Sequence, residues 1–454
     1  MLTVEQIIQA TNGRLENGDP AVSLKSVSIN TRALGQGALY VAIKGINHDG
    51  HTFVRKAIQQ GAVAVLVSKK MKLKGISVIR VKDTVKALGQ IAHFYRSQFD
   101  IPVVAITGSA GKTTTKNLVS SVLGSKFKVL KNERSENNWI GVPLTLLKLK
   151  KSHSIAVLEL GTNQKGDIAW LTEITEPDFA VFTNIGESHL EGLKNKAGVF
   201  KEKVNLAKGL KKGGVILYNG DDDYLRRIKS LGLPFRKLAF SINTQSAYQA
   251  ESIIMDQDNR VRFKVNKKKY ALANPGRHHI YNALAAISCA ECFGVKKEDV
   301  QAQISKFRPD PNRGELKKYG KIRIYNDTYN SNPLSFKSAL DVIRNLNVKG
   351  KKIVVSGDMR ELGASSKVLH QKMAEEIFKA DIDLLLTLGQ ESKITVRTFQ
   401  NLTKIVPAFH FDTRNELHKK LKQFCRPGDT ILVKGSRSMN MELTVDFLKK
   451  IHTS

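Results

Sequence analysis

The sequence predicts an α/β protein of three domains: a small α/β domain, a central phosphate-loop domain on a parallel sheet, and a C-terminal doubly wound domain of Rossmann type. Two patterns carry that expectation. Short runs of β-branched and apolar residues alternate with stretches of helical periodicity, as in parallel sheets covered by helices on both faces. One strand-to-helix junction, Thr107 to Thr114, reads T-G-S-A-G-K-T-T, the composition and context of a phosphate-binding loop. The length of 454 residues suits two to four domains of ordinary size, roughly 100–200 residues each.

The first domain, residues 1–98, contains FVRKAIQQG, a helix closed by Gly61, followed by AVAVLV, a buried strand. The second, 99–312, opens on the strand IPVVAIT (Ile101 to Thr107), which runs through the glycine-containing loop into the helix TTTKNLVSSVLG. Its further strands are IAVLEL, FAVFTNI and GVILYN. Between about 225 and 272 the pattern weakens, with RVRFKV and KKYAL as strand candidates. The third domain, 313–454, places KIRIYND, KIVVSGD, IDLLLTLG and DTILVKGS as strands. The helices SFKSALDVIRNL, VLHQKMAEEIF and MELTVDFLKKI separate them. There is no internal repeat and no disordered linker.

Composition narrows the function classes. Hydrophobic residues at 41% and charged residues at 25% fit a globular protein with several cores. No apolar run approaches the roughly 18 residues of a membrane span. The start, MLTVEQIIQATNG, is acidic where a signal peptide is basic, so a cytoplasmic protein is expected. The formal charge of +32 raises nucleic-acid binding. The basic residues are scattered at turns, however, without an arginine-rich arm. Charge of that kind speaks for solubility and steering of anionic substrates, and no nucleic acid is expected as partner. Cys289 and Cys292 lie in NALAAISCAECFG, a helical run of small and apolar residues, and Cys425 is distant. Core packing is expected rather than a metal or redox site.

The phosphate loop is the clearest chemical motif. Glycines let backbone amides approach phosphate oxygens, and the following helix N-terminus adds its positive end. Lys112 can bridge the β- and γ-phosphates, and the Thr113 hydroxyl can ligate magnesium. Thr107, Gly108, Ser109, Ala110, Gly111, Lys112, Thr113 and Thr114 are therefore the candidate ATP-binding segment. The longer phosphate-loop pattern has glycine five positions before Gly111, where this chain has Ile106. Glu159 ends one later strand, and His189 follows another in T-N-I-G-E-S-H-L-E-G. Strand ends of this kind face the ligand crevice of open α/β sheets. Glu159 suits a hard magnesium ion, whereas a histidine is a less usual ligand for it. Read alone, Glu159 serves equally as a solvated strand end, and His189 as a capping or core residue.

Together these motifs resemble those of the Mur ligase family along nearly the whole chain. T-G-S-A-G-K-T-T is similar to that family's shortened phosphate loop, and L-E-L-G-T-N with G-D-I to its acidic metal-ligand segment. N-P-G-R-H-H-I-Y-N-A-L-A-A resembles the stretch whose asparagine, here Asn282, contacts adenine. R-P-D-P-N-R-G resembles the hinge into the third domain, with Arg313 near the nucleotide. The resemblance implies two magnesium ions at Thr113, Glu159, His189 and Lys203, with Lys203 carbamylated so that its tip becomes carboxylate-like. Lys201 lies about 200° away around the helix.

N-D-T-Y-N-S-N-P-L-S, G-D-M-R-E-L-G and K-G-S-R-S-M resemble the class of the family that adds D-alanyl-D-alanine, and the D-N-P-R of one sister class is absent. They imply a nucleotide contact at Asp327. They also imply substrate contacts at Tyr329, Asn330, Asn332, Lys434, Ser436 and Arg437. S-I-N-T-R and Y-V-A-I-K-G-I-N-H-D-G-H-T-F resemble the family's UDP-binding domain. Thr31, Arg32, Lys44 and Gly45 then lie near the uridine diphosphate, and Asn137 and Asn138 near the substrate. In K-N-E-R-S-E-N-N-W-I-G-V-P this chain departs from the family with Arg134-Ser135-Glu136, and it carries Lys194 and Lys196 where Gly and Ser are usual.

The implied activity is that of an ATP-dependent ligase, expected as a monomer, that joins D-alanyl-D-alanine to UDP-N-acetylmuramoyl-tripeptide through an acyl phosphate. The nearest alternatives are a sister ligase adding a single amino acid, a folylpolyglutamate synthase, and a nucleic-acid-linked phosphate-loop NTPase. Whether the tripeptide's third residue is lysine or diaminopimelate stays open.

Overall fold

The computed structural model describes residues 2–133, 136–257 and 259–453. Arg134 and Ser135, two of the three residues of the loop departure noted above, lie outside the described residues. Strands β1 (Arg14–Asn17), β2 (Ser26–Ser28), β3 (Ala38–Val41), β4 (Ala62–Val67) and β5 (Ser77–Arg80) form the N-terminal sheet, in the order β1-β5-β4-β3-β2. β1 pairs antiparallel with β5 and the other pairings are parallel. Helix Thr84–Arg96 starts where Asp83 caps the amides of Val85 and Lys86. It buries Ala87, Leu88, Ile91 and Ala92.

This helix also docks the first domain on the second. Trp170 of helix Asp167–Thr175 lies over Gly89, where an added Cβ would sit 2.6 Å from Cζ2 of the indole. Trp139 packs on the same indole, with ring centroids 5.5 Å apart. The helix ends on a buried arginine: Arg96 donates to the carbonyls of Phe99 at 2.6 Å and Ile101 at 3.0 Å. This pins the turn into the next strand, which begins at Val103 rather than at Ile101.

β6 (Val103–Thr107), β7 (Val129–Lys131), β8 (Ile155–Glu159), β9 (Phe179–Phe182), β10 (Val215–Asn219), β11 (Arg236–Ser241) and β12 (Tyr248–Gln249) form a seven-stranded sheet. Its order is β12-β11-β10-β9-β6-β8-β7, and every pairing is parallel. Chain order reverses around β6, so the crevice for a ligand opens beyond its carboxyl end. Every residue of β6 and of β8 is buried, as parallel strands covered on both faces require. Helix Lys112–Leu123 lies beside helix His278–Cys292. The latter is buried from Asn282 to Ala290, as its small and apolar run predicts. Cys289 is buried in it, and burial raises both the Cys289 and the Cys292 thiols, consistent with packing rather than reactivity.

The weakly patterned stretch holds a second sheet of β13 (Glu251–Met255), β14 (Val261–Val265) and β15 (Lys268–Leu272), all antiparallel. β14 alternates buried Val261, Phe263 and Val265 with exposed residues. Its hairpin with β15 turns on Asn266 and Lys267, both at positive φ, 47° and 66°. Such a turn normally signals itself by glycine at the second position. Lysine there hides it.

β16 (Glu315–Tyr319), β17 (Ile322–Asp327), β18 (Lys352–Gly357), β19 (Leu384–Leu388), β20 (Ala408–Phe411) and β21 (Thr430–Lys434) form the third domain's sheet, in the order β16-β17-β21-β18-β19-β20. The expected parallel sheet is present from β17 to β20. It gains one antiparallel edge strand, β16, whose ELKKY carries too little apolar periodicity to announce itself.

If the Gly89–Trp170 contact docks the two domains, Gly89→Leu overpacks it. Urea unfolding should show a loss of about 1–3 kcal/mol, the usual cost of inserting carbons in a filled site. A variant as stable as the parent would mean that the docking surface yields freely.

Candidate active site

A cavity of about 520 Å³ lies between the second and third domains. Its floor is the phosphate loop. Gly108 has φ 155°, and a Cβ there would come within 1.9 Å of Thr183 Oγ1. Gly111 has φ 77° and stands as N-cap of helix Lys112–Leu123, with no side chain capping that end. Its free amides and positive dipole end therefore face the cavity. The segment after β9 sets the shape of the loop. Asn184 accepts from the Ala110 amide at 2.8 Å and donates to its carbonyl at 3.1 Å. Thr183 donates to that carbonyl at 2.7 Å, and Ser109 Oγ bridges the Gly186 amide and carbonyl at 2.9 and 3.1 Å.

Glu159 closes one side. Asn132 holds its backbone at both ends, accepting from the amide at 2.9 Å and donating to the carbonyl at 3.0 Å. The Thr113 hydroxyl donates to Oε2 at 2.6 Å, and Asn137 Nδ2 to Oε1 at 2.7 Å. Lys112 lines the cavity. Burial lowers its amine, opposed by the charge of Glu159. Lys203 ends helix Lys196–Lys203 and is fully buried beneath this group. Its Nζ has no hydrogen-bond partner among the described residues. Burial, then the charge of Lys112, holds its amine well below the ordinary lysine range. Lys201 is exposed, as its place on the helix predicts.

The third domain supplies the roof. Asn332 caps helix Pro333–Asn345 through the Ser335 amide, and its Nδ2 reaches back to the Ser109 carbonyl at 3.2 Å. Leu334 meets Gly186, where any Cβ would lie 2.9 Å from its Cδ2. Strand register sets Asp327 of β17 beside Lys434 of β21. The two pair at 2.5 Å, and Lys434 also donates to the Asn330 carbonyl at 2.9 Å. Arg313 stacks on the Tyr329 ring, 3.5 Å from its centroid. Asn282 accepts from Thr115 at 3.0 Å. At the rim, His189 Nδ1 lies 2.6 Å from Glu361 Oε2. That imidazole is the chief cause lowering the Glu361 carboxyl.

The structure thus brings together, around one cavity, Ser109 to Thr114, Asn137, Glu159, His189, Asn282, Arg313, Asp327, Tyr329, Asn330, Asn332 and Lys434. Thr107, Gly108 and Lys203 lie in its foundation. Other expected site residues stand apart. Asn138 caps the amides of Ile140 and Gly141 at 3.1 and 2.9 Å. Ser436 is buried behind the roof, accepting from the Arg360 amide at 2.8 Å. Arg437 is exposed and paired with Glu442 at 2.8 Å. Thr31, Arg32, Lys44 and Gly45 follow β2 and β3 in the N-terminal domain, outside the cavity. The cavity adds residues that sequence reasoning did not single out, among them His278, His279, Tyr281 and Glu361. The histidines lie in N-P-G-R-H-H-I-Y-N and Glu361 in G-D-M-R-E-L-G, so the motifs marked the segments but not these side chains.

With this geometry in view, the similarities to known proteins are specific. The chain matches the Mur ligase middle domain over residues 106–290. It matches the glutamate ligase domain of Mur ligases over 312–437, and the Mur ligase family catalytic domain over 23–96. The UDP-N-acetylmuramoyl-tripeptide--D-alanyl-D-alanine ligase of Bacillus subtilis is 34% identical over 445 residues, spanning 97% of this chain and 96% of that protein. The Escherichia coli ligase of the same name is 34% identical, spanning 99% and 98%. A crystal structure of MurF from Acinetobacter baumannii superposes with TM-score 0.91 at 28% identity, covering 99% of this chain and 98% of that one. MurF ligase from Thermotoga maritima in complex with ADP superposes at 0.83 and 25% identity, covering 94% and 97%.

Burial, then the charge of Lys434, pushes His278 down to about 4 from an ordinary 6.5, and His279 moves the same way. Both rings are therefore neutral in the folded protein at pH 7. The unfolded chain takes up protons below about pH 6.5, while the folded chain does so only near pH 4. Stability is unaffected above pH 6.5 and falls between 6.5 and 4, by about 3 kcal/mol from His278 at about 1.4 kcal/mol per pH unit. Urea unfolding of His278→Asn should lose less stability over that window than the parent does. Parallel curves would contradict the burial argument.

Proposed function

The chain belongs to the Mur ligase family, and we propose that it joins D-alanyl-D-alanine to UDP-N-acetylmuramoyl-tripeptide at the expense of ATP, a step of peptidoglycan precursor synthesis. One observation carries this reading beyond simple nucleotide hydrolysis. The phosphate loop of one domain and the Asn330–Asn332 and Lys434 segments of another close on a single cavity. A ligase needs that arrangement, because an amine must meet an activated acyl group where water is excluded. Both walls come from one chain, which suits a monomer.

Residues 1–98 bind the uridine diphosphate, with Thr31, Arg32, Lys44 and Gly45 at the carboxyl ends of β2 and β3. Residues 99–312 bind ATP, and 313–454 receive the dipeptide. The loop amides and Lys112 hold the phosphates of ATP, Asn282 and Arg313 flank the nucleoside, and Asp327 with Lys434 faces it from the roof. The tripeptide's terminal carboxylate takes the γ-phosphoryl group, giving an acyl phosphate and ADP. The dipeptide amine then attacks the acyl carbon and phosphate leaves. Lys112 and the helix end stabilise the negative charge that builds up in both steps. The excess of basic residues steers these anionic substrates. Among the described residues no helix is long and apolar enough to cross a membrane, in keeping with work in the cytoplasm.

The donor set fits magnesium. Among the described residues no three His, Cys, Asp or Glu side chains cluster as a complete metal cage. Magnesium seldom asks for one, since it keeps waters and substrate phosphates and takes one or two carboxylates. Thr113 and Glu159, already in contact, offer hard oxygens for it, with His189 and Lys203 at a second ion. When bound, magnesium neutralises phosphate charge. Lys203 fits this role as a carbamate. Its buried amine is biased toward the neutral, nucleophilic form. The neutral amine forms an N–C bond to carbon dioxide and gives up a proton to solvent, which leaves an anionic carbamate in place of an unpaired amine.

Phosphate release should require ATP, the UDP-tripeptide and a D-alanyl dipeptide together. Turnover with the UDP-dipeptide and a single amino acid would instead indicate the sister activity. Lys112→Ala should abolish turnover, and persistence of near-parental rates would refute the loop's role. Lys203→Ala should lose most activity and regain part of it in formate or acetate, which can occupy the carbamate's place. Full activity of that variant would exclude the carbamate, while Lys201→Ala should be mild.

A further inference from the structure

Two non-glycine residues face each other across the domain boundary in left-handed backbone conformations: His189 at φ 54° and Glu361 at φ 65°. Such conformations are uncommon for residues with a side chain, and they concentrate at functional sites. Here the two strained turns interlock. The Glu361 carbonyl accepts the amides of Leu190 at 2.9 Å and Glu191 at 3.4 Å, the residues directly after His189. The Glu361 carboxylate lies 2.6 Å from His189 Nδ1. Leu362, next in chain, is buried in the same apolar cluster as Leu190 and Leu193. The third domain thus touches the candidate metal-ligand histidine through backbone, carboxylate and apolar contacts at once.

We propose that Glu361 is a positioning residue that fixes the ring of His189 and thereby couples closure of the third domain to completion of the metal site. The chemistry is that of a carboxylate–histidine–metal relay. The 2.6 Å contact is close but not aligned as a hydrogen bond. Once a small turn of the ring aligns it, a carboxylate that accepts the Nδ1 proton fixes the tautomer and the ring plane, and leaves the Nε2 lone pair free for a cation. Among the described residues no group of the second domain hydrogen-bonds Nδ1, so the third domain's Glu361 is the acceptor within reach. The arrangement gives an order to events: the cation is held tightly only in the closed enzyme, where the amine is also at hand, so ATP is not committed in the open one.

This inference rests on the ligase reading and its metal site, and the experiment separates the two. Mn2+ binding is followed by electron paramagnetic resonance on the full chain with a non-hydrolysable ATP analogue and the UDP-tripeptide, beside steady-state kinetics. Glu361→Ala should weaken Mn2+ binding and lower kcat by about 10- to 100-fold, the usual effect of removing such a carboxylate. KM for the UDP-tripeptide should stay within about twofold. Glu361→Gln, which keeps an acceptor oxygen and the size of the side chain, should lose less than about 10-fold. It also covers the case in which the alanine variant folds poorly. In a His189→Ala background the further change Glu361→Ala should cost almost nothing, because the two act as one unit. Parental Mn2+ affinity in Glu361→Ala, or losses that add fully in the double variant, would overturn the coupling. A parent enzyme that binds no Mn2+ in this complex would overturn the metal site itself.

Discussion

Lys203 is fully buried and Lys112 half-buried on either side of Glu159, and the site's architecture depends on making that tolerable. An unpaired charge taken out of water costs several kcal/mol even after relaxation. Glu159 opposes both shifts, with Glu202 also opposing that of Lys203, but the Glu159 oxygens are already committed to Thr113 and Asn137 and those of Glu202 to the Gly166 and Ile168 amides. Glu159 cannot neutralise two ammonium groups. Lys112 faces the cavity, where the proposed nucleotide phosphates would answer its charge, whereas Lys203 is beneath the cavity surface. A lysine so placed is poorly suited to remain an ammonium, and the carbamate proposed above would relieve the conflict.

Everything that holds Glu159 follows from this constraint. Asn132 clamps its backbone from both sides, and the buried Lys116 amine donates to the Asn132 carbonyl. The carboxylate is thereby fixed at the carboxyl end of β8, next to the β6 loop, where the order of strands reverses. Thr183 and Asn184 at the end of β9 hold the loop from the other side. Glycine is obligatory at 108 for that close approach and at 186 for the approach of Leu334. The same short segment, 183–189, thus shapes the loop, receives the third domain and presents His189. The absence of a side chain at Gly186 lets Leu334 of the third domain close against it.

Much of this was legible in local patterns. The loop announced itself by spacing and by its strand–helix flanks. The helix of small residues around Asn282 and the buried parallel strands were visible as periodicity. The order of motifs along the chain pointed to the family. Other elements left no signal, for physical reasons. The hairpin at Asn266 and Lys267 lacks the glycine that usually marks such a turn. β16 is an edge strand in which no residue is buried. Asn138 and Arg437 sit in motif segments but serve as a cap and in a surface ion pair. His278, His279 and Glu361 had no distinguishing chemistry until their surroundings were known.

The sequence by itself determined the buried strands, the periodic helices and the phosphate loop, because each rests on residue types within one turn or one strand of each other, and the order of its motifs marked the family. Only the tertiary structure decided which distant groups meet. That Lys203 is buried beneath Lys112, that Asp327 stands beside Lys434, and that Glu361 reaches His189 depend on sheet order, strand register and domain closure. Those are set by the summed burial of many apolar contacts across the chain, a quantity that no single segment carries.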